Sequence, residues 1–164
     1  MRLLGAIVLA IIIGACGQGP APTPAPAANV PCGPSEVLTR HEHAHLTILV
    51  RGQIKTVPAF IGITATQICW LHTHDTSGII HMEATKKYPF TLGQFFAIWD
   101  VHFTDSELGP FKPAGGKKLQ VYDNGKPVTN PVALVMHEHD NIVVGYGKPG
   151  SFPTEPPANF PSGL

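Results

Sequence analysis

From Ala44 to Val50 the chain alternates, with Ala44, Leu46, Ile48 and Val50 on one side and His45 and Thr47 on the other, which predicts a strand with one buried face. Arg51-Gly52-Gln53 reads as a turn, and Ile54 to Ile63 as a second extended segment. Pro58 inside it has no N–H to give a ladder, so that segment is an edge strand or a strand end. Cys69 to His74 and Ile79 to Ala84 read as two short strands around a compact hairpin loop, Asp75-Thr76-Ser77-Gly78. Leu92, Phe95, Phe96 and Trp99 then recur at helical spacing. Thr91 and Gln94 have capping-box spacing before that helix, and Phe90 with Phe95 the spacing of a hydrophobic staple. Gly93 costs the helix about 1 kcal/mol relative to Ala, which burial of the aromatics outweighs. Phe103 to Gly116 is a loop. Lys118 to Tyr122 and Pro127 to Thr129 flank Asp123-Asn124-Gly125-Lys126, where Asn-Gly is a strong hairpin signal, and Ile142 to Tyr146 is the last strand. The expected fold is α+β: a small mixed sheet of short hairpins packed against one short helix.

The ends change the picture from a domain to an address. Met1-Arg2 is a positive start, and Leu3 to Ala15 is an apolar run of thirteen residues. A membrane-spanning helix needs about 20 residues, so the run fits a secretory signal instead. Ile13-Gly14-Ala15-Cys16 looks like a lipobox, which implies cleavage before Cys16 and a lipid on its thiol. The Pro/Ala alternation that follows favours an extended stalk, and the prolines after Lys148 exclude a regular element there. The expected organisation is therefore signal 1–15, lipidated Cys16 and stalk 16–31, one globular domain 32–147, and a Pro/Gly-rich tail 148–164. That places the protein in the cell envelope, extracytoplasmic, on a membrane through its lipid.

Eleven basic and eleven acidic side chains leave no basic stripe for nucleic acid and no polybasic patch for anionic lipid. With Cys16 lipidated, Cys32 and Cys69 remain, and two cysteines in an exported domain usually pair. The competing reading makes one of them a metal thiolate; their wide separation and the lack of a C-x-x-C spacing argue against it.

Nine histidines carry the chemistry. His41, His43 and His45 share one face of the first strand, opposite the apolar stripe. His72 and His74 share a face by the same rule, as do Ile79, His81 and Glu83. If the hairpin closes around Asp75 to Gly78, His72 lies across from His81 and His74 from Ile79, with Cβ atoms about 4.5–5.5 Å apart. Imidazoles so placed converge on one metal ion at about 2.0–2.1 Å. The expected ligands are His72, His74 and His81, then His45 and His43, then Glu83 as a fourth ligand, a partner for an imidazole N–H, or a base. The bland alternative, a polar surface face, is weaker for so many imidazoles in a row, because neutral rings need partners and charged ones repel. His41, nearest the stalk, reads equally well as solvent-exposed. His102 reads as structural, and His137 and His139 as a loop before the last strand.

H-x-H-A-H-L and L-H-T-H-D-x-S-G-I-I-H-x-E, with F-T-L-G-Q-F-F after them, resemble a family of uncharacterised bacterial exported lipoproteins, a likeness that implies a shared site but no activity. Leu119 to Val128 and His139 to Val144 resemble the closing strands of a β-grasp domain, although the terminal Gly-Gly of its sulfur-carrier members is missing. Imidazole with carboxylate suits copper or zinc, with iron also compatible. Met82 faces away from His81, so a thioether copper(I) site is not expected. Three functions compete: metal sequestration or delivery, a metalloenzyme with three histidines and Glu83 or Asp75 as base, and a histidine-rich interaction domain without catalysis.

Overall fold

A computed structural model describes residues 29–161. The expected signal, the lipid cysteine Cys16 and most of the stalk lie outside the described residues. Eleven residues form the central strand β2 (Arg40–Val50), after a two-residue β1 (Cys32–Gly33). The remaining strands are β3 (Gln53–Lys55), β4 (Ile68–Cys69), β5 (Leu71–His72), β6 (Ile79–Ala84), β7 (Lys118–Asp123), β8 (Lys126–Pro127) and β9 (Asn141–Gly147), with α1 (Leu92–Ile98) between β6 and β7. The main sheet runs β5-β6-β2-β9-β7-β8, with β3 folded back on the end of β2.

β2 is central because both of its edges are used. Its first half pairs antiparallel with β6, from Arg40↔Ala84 to His45↔Ile79. Its second half pairs parallel with β9, from His45↔Asn141 to Val50↔Tyr146. The ladder thus begins at Arg40, before the alternating stretch that predicted it. The structure corrects the sequence elsewhere too. Ile54 to Ile63 is not a long strand: β3 stops at Lys55 and the chain leaves the sheet ahead of Pro58, while Val57 and Ile61 turn into the core. Cys69 to His74 is broken at Trp70, with β4 paired to β1 and only Leu71 and His72 paired to β6.

Ala44, Leu46, Ile48, Val50, Ile80 and Met82 pack with Leu92, Phe95 and Phe96 of α1 in one core cluster. Seven residues are too few for an independent helix, so α1 depends on its cap and its core face. The Thr91–Gln94 capping box is formed in both directions, and each fully buried Phe contributes about 1.5–3 kcal/mol. Among the described residues no helix is long and apolar enough to cross a membrane.

The opposite sheet face is also covered, but in two different ways. Over β9 and the end of β2 lies the C-terminal tail, which has no regular element yet is laid on the sheet: the Phe152 ring occupies the space a side chain at Gly145 would need, and Asn141 Nδ2 donates to the Pro156 carbonyl at 2.7 Å. Over β5, β6 and the start of β2 lie the histidines.

Candidate metal centre

The register builds the site row by row. His72 of β5 pairs with His81 of β6, which pairs with His43 of β2, so three imidazoles stand side by side across three strands. In the next row His41 pairs with Glu83. His74 lies beyond the ladder, yet its Nε2 is 3.2 Å from His72 Nε2. His41 Nε2 is 3.0 Å from His81 Nδ1 and 3.1 Å from His43 Nε2. Two nitrogens on one tetrahedral ion, each about 2.05 Å from it, are about 3.3 Å apart. The observed spacings are close to that value, and they are also those of imidazole–imidazole hydrogen bonds.

The donor sets within 4.8 Å of one another are His41, His43 and His81; His72, His74 and His81; and Glu36, His72 and Glu83. His72 Nδ1–H donates to the Cys69 carbonyl at 2.8 Å. That fixes the tautomer with the Nε2 lone pair toward the site, as an outer hydrogen bond does for a metal-bound histidine. Burial pulls the His72 pKa down to about 4 and that of His81 to about 3, the neighbouring imidazoles adding to both shifts. Burial also lowers His43, with the His41 charge next in effect. Burial therefore favours the neutral form of these rings, the form in which an imidazole can bind a metal.

Glu83 is 1% exposed. Its Oε2 accepts the Val37 N–H at 2.8 Å, while Oε1 has no hydrogen-bond partner and stands 3.4 Å from His41 Nε2 and 3.8 Å from His72 Nε2. Burial raises its pKa above 4.5. A buried acceptor without a partner costs about 1–3 kcal/mol, a cost that a cation beside it would remove.

The structure sorts His41, His45 and Asp75 differently. His41 belongs to the cluster, at its rim, with its side chain 32% exposed. His45, on the same face of β2, does not: it lies opposite Ile79, beside Asn141 of β9, and faces Phe160 of the tail. Gly78 makes that packing possible, because its φ is +90° and a Cβ there would sit 2.6 Å from the Leu46 carbonyl oxygen. Asp75 is outside the donor sets as well, its Oδ1 accepting the Ser77 N–H at 2.8 Å to shape the loop. His102 pairs with Glu107 away from the site.

Glu36 is the residue sequence reasoning missed, its Oε1 3.1 Å from His74 Nε2. No pattern in Pro34-Ser35-Glu36 announces it. It arrives because the Cys32–Cys69 disulfide joins β1 to β4 and holds residues 34–39 beside the cluster. Closing the loop between Cys32 and Cys69, a sequence separation of 37, contributes about 4 kcal/mol by chain entropy. The His137-Glu138-His139 loop acts as a clamp: Glu138 Oε2 accepts the His43 N–H and the His139 N–H donates to the His43 carbonyl, both at 2.7 Å. Those bonds satisfy β2 where β9 has not yet begun.

No family model, curated protein or solved structure matches the chain.

Proposed function

We propose that this chain is a lipid-anchored, extracytoplasmic protein that binds copper or zinc and serves in its sequestration or delivery. The observation that carries the reading is the set of five imidazoles and Glu83 gathered by three adjoining strands and the loop after β5, with three ring–ring nitrogen distances of 3.0–3.2 Å. The donor chemistry favours copper, zinc or iron over calcium or magnesium. Both buried methionines of the domain, Met82 and Met136, belong to the core cluster, which argues against thioether ligation. The signal-like start and Cys16 support export and a lipid anchor.

Glu83 supports the alternative of a metalloenzyme, since a buried carboxylate with one unpartnered oxygen is suited to a general base. Carriage is favoured because the sequence carries no conventional nucleophile or cofactor motif; a cavity of about 530 Å³ lies away from the histidines, lined by residues such as Phe60, Ile63 and Trp99. The order β6-β2-β9-β7, with a central parallel pair and a helix between the second and third strands, supports a β-grasp-like descent for the domain.

The test is elemental analysis of the full chain, purified without chelator or immobilised metal, beside the His72→Ala/His81→Ala variant. The expected result is tightly held copper or zinc in the parent and less than a tenth of it in the variant, with circular dichroism unchanged. Equal metal in both would put the ligands elsewhere.

A further inference from the structure

We infer that the cluster is a two-ion centre in which His81 is shared, an inference that rests on the metal-binding reading above. His81 stands in the middle of the cross-strand row, its ring centroid 4.7 Å from that of His43 on one side and 5.2 Å from that of His72 on the other. Each flanking ring has its own companion, His41 for His43 and His74 for His72. Two triads result, and His81 is the member common to both.

A single ion does not account for this arrangement. Around one octahedral ion even opposite donors are only about 4.2 Å apart, twice the metal–nitrogen length. Five histidines on one ion would therefore all fall within 4.8 Å of one another. Among the described residues the donor groups close at three. The pairs on either side of His81 are too far apart to serve one ion as they stand.

His81 Nδ1 faces His41 at 3.0 Å and so belongs to the first triad. Its Nε2 is the donor left for the His72–His74 pair. When both nitrogens carry an ion, the ring N–H proton passes to solvent and the imidazolate bridges two divalent cations. Glu83 Oε1, 3.4 Å from His41 Nε2 and 3.8 Å from His72 Nε2, lies between the triads and supplies negative charge to both ions. Two cations so close together repel, and an imidazolate with a carboxylate between them offsets that repulsion.

The experiment is metal stoichiometry of the full chain loaded separately with Zn(II) and Cu(II), combined with electron paramagnetic resonance of the copper form. His41→Ala and His74→Ala are the probes, because each removes a rim ligand from one triad only and neither side chain is buried. The expected result is two ions per parent chain and one in each variant. The dicopper parent should integrate to well under two spins at low temperature, through coupling across His81, and each variant to one full spin. Saturation at one ion overturns the two-ion centre while leaving the metal-binding reading in place. Two ions giving two full, independent spins overturn the sharing of His81. No bound ion overturns both readings.

Discussion

His41 and His45 sit on the same face of the same strand, and only one of them is in the cluster. Across from His41 stands Glu83, and beside it the His43–His81 pair. Across from His45 stands Ile79, with Asn141 as its parallel partner and Phe160 against its ring. Position on a face therefore does not decide whether a histidine joins the cluster. What each register row brings from the neighbouring strands does, together with what covers the face there: other imidazoles over β5 and β6, the tail over β9.

The widest separation between the two should appear in metal binding. His41→Ala is expected to weaken retention of metal at least tenfold in chelator competition, whereas His45→Ala should leave it within twofold. The reverse order would return His45 to the ligand set.

A smaller effect is expected where the tail covers the sheet. Gly145→Val has no room against the Phe152 ring and should lift the tail at a cost of about 1–3 kcal/mol. Thermal melting should fall while metal affinity stays the same. A parallel loss of metal would show that the two halves of the face are one unit.

The last effect concerns protons. His72 and His81 have folded pKa values of about 4 and about 3, below the usual 6.5. The unfolded chain takes up their protons first, so their contribution to stability is full above about 6.5 and is lost as pH falls toward 4 and 3. The metal-free chain should melt several degrees lower at pH 4.5 than at pH 7. A flat profile over that interval would contradict the burial of these rings.

Much of this molecule is legible in its sequence. The alternation in β2, the capping box of α1, the Asn-Gly turn and the His72↔His81 pairing are all local patterns, and local rules read them. The α+β character follows from their order. What the patterns could not rank was His41 against His45, because that depends on β9 pairing parallel with only the second half of β2, a contact between residues far apart in the chain. Glu36 was hidden for the same reason: a disulfide, not a period, carries it to His74. The 137–140 loop reads as a connection and works as a clamp, through two backbone groups of His43 that no side-chain pattern records.

The most direct test of the account is an anomalous-difference map from crystals of the copper- or zinc-loaded chain, with data collected above and below the metal edge. The account predicts density on the β5–β6–β2 face, between His81 and the His41–His43 and His72–His74 pairs. A peak at His45, His102 or the 137–140 loop with none at His81, or no peak after loading, would contradict it.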